Sequence, residues 1–163
     1  MMPPFYQMSS YGLDAGTAIG HARQVALTHA IRVAAIAGAT WPNSEENYIR
    51  AISQELINEL IAFSIHARRF LEITNSRKQI LEGSLHIFPP AARDCEYETS
   101  LWNAVNKIVH SRKIEIVAVE RETVIFTNLG DRKITHARVQ SDKGDAVLIC
   151  PTALVHAYLA VET

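Results

Sequence analysis

The chain has 163 residues, 48% hydrophobic and 20% charged, with a formal net charge of −1. That balance supports a buried core without disulfide staples and argues against disorder. Near-neutrality leaves no whole-molecule attraction for nucleic acid or membrane, only local patches.

Residues 1–20, rich in Pro, Ser, Gly and Met, read as a flexible lead-in. The opening MMPPFYQMSSYG lacks a basic stretch followed by an apolar one, so no signal peptide is expected. A helix is predicted from His21 to Ala37, stopped by Gly38, with Val25, Ala26, His29, Val33 and Ile36 on one face. A second helix is expected from Ser44, a capping residue, to about Glu72. Glu45 and Glu46 suit its positive end. Ile49, Ile52, Leu56, Leu60, Phe63, Ala67 and Phe70 mark its inner face, and Ile57, Ile61 and Ile65 lie round the other side. A rod apolar on more than one side is central to a bundle.

The stretch NSRKQILEGS suggests a short helix ending at Gly83, and Pro89-Pro90 marks a loop. A helix from about Glu98 to Ser111 follows, burying Leu101, Trp102, Val105, Ile108 and Val109. The pattern then turns β-branched. KIEIVAVE, TVIFTN, KITHARV and DAVLIC are strand-like runs with short turn signals between them, which implies antiparallel neighbours. Pro151 opens a last helix with Ala153, Leu154, Ala157, Tyr158 and Val161 inward. The expected fold is α+β: a helical bundle, then a small antiparallel β-meander and a C-terminal helix. Residues 21–163 form one domain, with a helical part over 21–112 and the meander plus final helix over 113–163.

Chemistry concentrates at one place. Asn103, Asn106 and His110 are three, four and seven apart and share one side of their helix. Facing a groove, they would offer His110 as acid or base. The competing reading is a solvated helix flank, with His110 suited to the partial negative charge of a helix C-terminus. On the long helix, His66, Arg68 and Arg69 form a second polar group. If the two helices pack antiparallel, Arg69 could reach His110 and hold a phosphate there, with His66 and Arg68 alongside as binding residues. Plain helix-end basicity paired with Glu72 is the alternative.

The seven histidines show neither an i,i+4 pair nor HExxH, so no metal is expected. Cys95 and Cys150 are far apart with no CxxC spacing and read as core or boundary residues in a reducing compartment. No phosphate loop, dinucleotide fingerprint or nucleophile elbow occurs, and no cofactor is implied. The longest apolar-rich run, VAAIAGATW, is too short to span a bilayer. A cytoplasmic chain without membrane partners is the expectation.

The long helix carrying SIHARRFLE, followed by a helix ending in NKIVH, resembles the HEPN superfamily of α-helical domains over residues 44–112. The resemblance implies an up-and-down bundle of four to five helices, and many members act in toxin–antitoxin and phage-defence systems. Ribonuclease members carry an Arg, a polar residue after it and a His further along. Here Asn106 and His110 would supply the last two, while the arginine place falls on Asn103, Ala104 or Val105. The implied role is a non-catalytic HEPN-like module that binds a protein or RNA partner. The alternative is a metal-independent endoribonuclease using His110, Asn106 and a borrowed Arg69. An exposed edge of the meander offers a further route, self-association by strand addition.

Overall fold

The computed structural model describes residues 15–42, 46–81, 95–121 and 131–161. The expected cap at Ser44, Glu45, the Pro89-Pro90 loop and the strand-like run at 123–128 lie outside them, as does most of the lead-in.

Helix α1 runs from Ala15 to Gly38 and so begins inside the expected lead-in. Its buried stripe is Ala22, Ala26, Ala30, Val33 and Ala37, each at most 2% exposed. Val25, His29 and Ile36, expected on that face, are only half-buried. Alanine wins the inner line because a methyl side chain lets two helices approach closely. Strand β1, Thr40–Pro42, follows, and then helix α2, Glu46–Thr74. At about 1.5 Å per residue α2 is about 44 Å long. Leu56, Leu60, Phe63, Ala67, Phe70 and Leu71 are its buried line, while Ile65, on the second apolar side, is 49% exposed.

Asn75 ends α2 in the left-handed region, at φ 55°. Its N–H bonds the Glu72 carbonyl at 3.3 Å, and the Ser76 N–H bonds the Leu71 carbonyl at 3.0 Å. This paired closure satisfies the last carbonyls and turns the chain sharply. The helix expected over the following residues is absent as far as Leu81. Instead the Leu81 N–H bonds the Thr99 carbonyl and the Leu101 N–H bonds the Gln79 carbonyl, around an antiparallel bridge of Ile80 with Ser100. The reversal at Asn75 takes the chain off the helix axis, and Thr99 and Leu101 satisfy its backbone.

Strand β2, Glu96–Tyr97, leads to helix α3, Leu101–Val109. α3 is shorter than expected because Glu98 belongs to its cap. The Glu98 carboxylate accepts the Thr99 and Ser100 amides, both at 3.1 Å, and the Ser100 hydroxyl accepts the Asn103 amide at 3.3 Å. Strands β3 (Ser111–Arg121), β4 (Asp131–Ser141) and β5 (Val147–Ile149) precede helix α4, Pro151–Leu159.

The fold is α+β, four helices on a five-stranded sheet among the described residues. Strand β4 pairs antiparallel with β3 along one edge, and with β1 and β5 at the two ends of the other. The sheet is mixed rather than a pure meander, because β2 pairs parallel with β5. Helix α3 and two further strands supply the long crossover that such parallel pairing demands. One hydrophobic core joins the helices to the sheet. At its centre Phe63 and Phe70 meet Tyr158 of α4 edge-to-face, at 5.3 and 5.6 Å between ring centroids. Burial pushes the Tyr158 hydroxyl up to about 12.

Candidate functional site: a cleft at the end of the third helix

The change of period after Val109 is a helix-to-strand junction, and His110 stands on it as the C-cap of α3. Three bonds fix its backbone neighbourhood. Its N–H reaches the Asn106 carbonyl at 3.0 Å, its carbonyl accepts the Asp142 amide at 3.3 Å, and the Ser111 hydroxyl donates to the Ile108 carbonyl at 2.8 Å. The β4–β5 turn is thereby tied to the end of α3. Gly144, at φ 132°, permits that turn.

Beside His110 opens a cleft of about 260 Å³ lined by Asn106, Lys107, His110, Ser141, Asp142 and Lys143. Across from it, Arg68 Nη1 lies 3.0 Å from His110 Nε2. A guanidinium only donates, so Nε2 is the acceptor and carries no proton in this arrangement. Arg68 Nε also donates to Glu72 at 3.3 Å. Lys107 pairs with Glu98 at 3.0 Å. Asn106 donates to the Trp102 carbonyl at 2.8 Å, so its amide lies along α3. At the other end of the same flank the Arg77 guanidinium lies 4.5 Å from the centre of the Trp102 ring. Residues 68 to 77 therefore run beside 110 to 102, which makes the two segments antiparallel.

The structure divides the six residues singled out from sequence. Arg68, Asn106 and His110 come together, and the guanidinium at His110 is that of Arg68, where Arg69 was expected. Adjacent helical residues are turned by about 100°, and Arg69 is accordingly carried to the α1 side with His66. Asn103 is exposed near the start of α3, apart from the cleft lining. The Arg77–Trp102 stack was not foreseen. The sequence signal for it was Asn75, a residue type that readily takes the left-handed conformation ending a helix.

His66 belongs to a second polar cluster, on the seam between α1 and α2. Its ring stacks on His29 at 6.3 Å and meets His21 edge-on at 6.5 Å. His29 Nδ1 donates to Glu59 at 2.6 Å, and Arg32 donates to the other carboxylate oxygen at 3.1 Å. Burial opposes the charge on Glu59, but the hydrogen bonds from His29 and Arg32 outweigh it and hold the carboxyl below its ordinary value. For His66, burial acts first, followed by the positive fields of His29, His21 and Arg69; together they hold the imidazole below its usual range. Among the described residues, no group of three or more His, Cys, Asp or Glu is placed to hold a metal ion, and no helix is long and apolar enough to cross a membrane. Cys150 is buried and Cys95 half-buried, and neither is in a disulfide. The Arg138 Nε donates to Cys95 Sγ at 3.1 Å.

The groove differs from the seam in what it can still bind. Arg68 can hold an anion, and His110 has a free lone pair once Arg68 turns away. The chain matches no family model, and no curated protein or solved structure matches it either.

Proposed function

We propose that the chain is a HEPN-like binding module that takes the phosphate backbone of RNA in the cleft between the end of α3 and the β4–β5 turn, beside Arg68 of α2, without cleaving it. The observation that carries this reading is the 3.0 Å contact of Arg68 with His110 beside an open cleft. In the free protein the two side chains satisfy each other. A phosphate would take the guanidinium, for which a fork of N–H donors suits phosphate oxygens. His110 Nε2 would then take up a proton and donate to the same phosphate. Asn106, Lys107 and Lys143 line the approach. Overall near-neutrality is compatible with this, because binding rests on a local patch.

A second reading is metal-independent cleavage, and the same contact favours it, since it supplies the arginine that α3 lacks. His110 would abstract a proton from a ribose 2′-hydroxyl while Arg68 stabilises the phosphate. Binding without cleavage is preferred because α3 carries no arginine at 103 to 105, and Arg68, which would replace it, already donates to Glu72 as well as to His110.

The test is anisotropy of a labelled single-stranded RNA in EDTA over a range of salt, followed by a denaturing gel. Intact RNA is expected, with binding that weakens with salt, and Arg68→Ala should lower the salt slope by about one. Cleavage lost in His110→Ala would establish the second reading. No binding at low salt would overturn both.

A further inference from the structure

The flank of α3 that carries His110 continues back to Trp102 at the start of the helix. Trp102, Asn106 and His110, the C-cap, fall four residues apart along α3, so the backbone rise from the first to the last is about 12 Å. Over the indole lies the exposed guanidinium of Arg77, 4.5 Å from the ring centre. That position is built rather than accidental. The left-handed Asn75 turns the chain off α2, and the hydrogen bonds of Gln79 and Leu81 with residues 99 and 101 hold the following segment beside the start of α3. A guanidinium held over an indole can offer its other side as a planar, cationic platform.

We infer that the Trp102–Arg77 stack is a nucleobase platform, which makes the preferred ligand of this groove single-stranded RNA with exposed bases. The inference rests on the phosphate reading of the Arg68–His110 end and adds a second contact to it. Bases stack on arginine planes and aromatic rings because every base has a π-face. The spacing fits. About 12 Å covers a few nucleotides, each about 3.4 Å when stacked and longer when splayed. One strand could therefore place a phosphate at Arg68 and a base on Arg77. A duplex could not, because its bases are already stacked and its edges are turned inward. A phosphorylated peptide would satisfy the Arg68 end but has no π-face for the platform.

The experiment compares two labelled strands of equal length in anisotropy titrations: an ordinary single-stranded RNA, and an abasic strand with the same number of phosphates. The wild-type protein is expected to prefer the base-bearing strand by about tenfold, the lower part of the range for one base–aromatic stack. The double variant Arg77→Ala/Trp102→Leu, which removes both the guanidinium and the indole beneath it, should bind the two strands equally, with abasic binding lowered only by the loss of one cation. Circular dichroism verifies its fold. Equal binding of the two strands by wild type, or a preference that survives the double variant, would overturn the platform and leave the phosphate reading standing. Absence of binding by either strand would overturn the phosphate reading and this inference together.

Discussion

Two histidine-bearing regions share helix α2 and have opposite characters. On the α1 side, His29, Glu59 and Arg32 close on one another, with His66 stacked on His29 and edge-on to His21. Glu59 is only 6% exposed, and each of its carboxylate oxygens accepts a hydrogen bond. On the α3 side, Arg68 and His110 also touch, but the contact lies in an exposed setting beside an open cleft. The lesson is that a histidine's meaning depends on what remains unengaged around it. The seam's charges close on one another between two helices, whereas on the proposed reading Arg68 and His110 would exchange their exposed contact for a ligand.

The comparison breaks most visibly if the shared support is removed. Leu60→Ala takes a fully buried side chain from the centre of α2. It should cost about 2–5 kcal/mol in chemical denaturation and weaken both regions together. Glu59→Ala leaves His29 and Arg32 without their acceptor and should cost about 1–3 kcal/mol, with RNA binding at a permissive temperature unchanged. A loss of binding without a loss of stability would reverse the roles assigned here.

Acid sharpens the contrast further. His66 is held below its ordinary value of 6.5 in the fold, so the unfolded chain takes up the proton first. The stability given by the neutral ring is full above that value and declines as pH falls through it. Glu59 is held below its ordinary value of 4.5, so its contribution is present above that value and lost as pH falls further. Both effects make acid destabilising, in two steps. His66→Gln should flatten the limb between about pH 7 and pH 5 in urea midpoints while leaving the lower limb. An unchanged upper limb would mean that His66 does not carry it.

Much of this architecture could be read from the chain. Periodicity located the long helix, the final helix behind Pro151 and the strands at 113–120 and 133–139, because each has enough residues to declare a period. It also gave the inner face of α2, where Leu56, Leu60, Phe63, Ala67 and Phe70 are buried as expected. It did not say which neighbour lies against which flank of that helix, and so Arg69 was expected where Arg68 stands. Short elements were missed for a different reason. Thr40–Pro42 and Glu96–Tyr97 are strands only because β4 and β5 offer them partners, and neither has a pattern of its own. The meeting of Arg77 with Trp102 depends on the turn at Asn75 and a bridge between distant segments. Asn106 and His110 were legible as a pair because one helix carries both.

The smallest effect expected is also a useful control. Arg68→Ala removes a partly exposed side chain and should move stability by no more than about 0.5 kcal/mol, although it lowers the affinity for RNA. Stability and binding thus separate in the groove as they do on the seam, with the signs exchanged.

The most direct measurement is the nitrogen resonance of the His110 ring, recorded near neutral pH with and without a short single-stranded RNA. In the free protein Nε2 should carry the shift of an unprotonated acceptor, because Arg68 donates to it. Saturating RNA should move it to the protonated type as the phosphate takes Arg68, with the His29 ring unaffected. A His110 resonance that stays in place while RNA is bound would contradict the groove as the phosphate site.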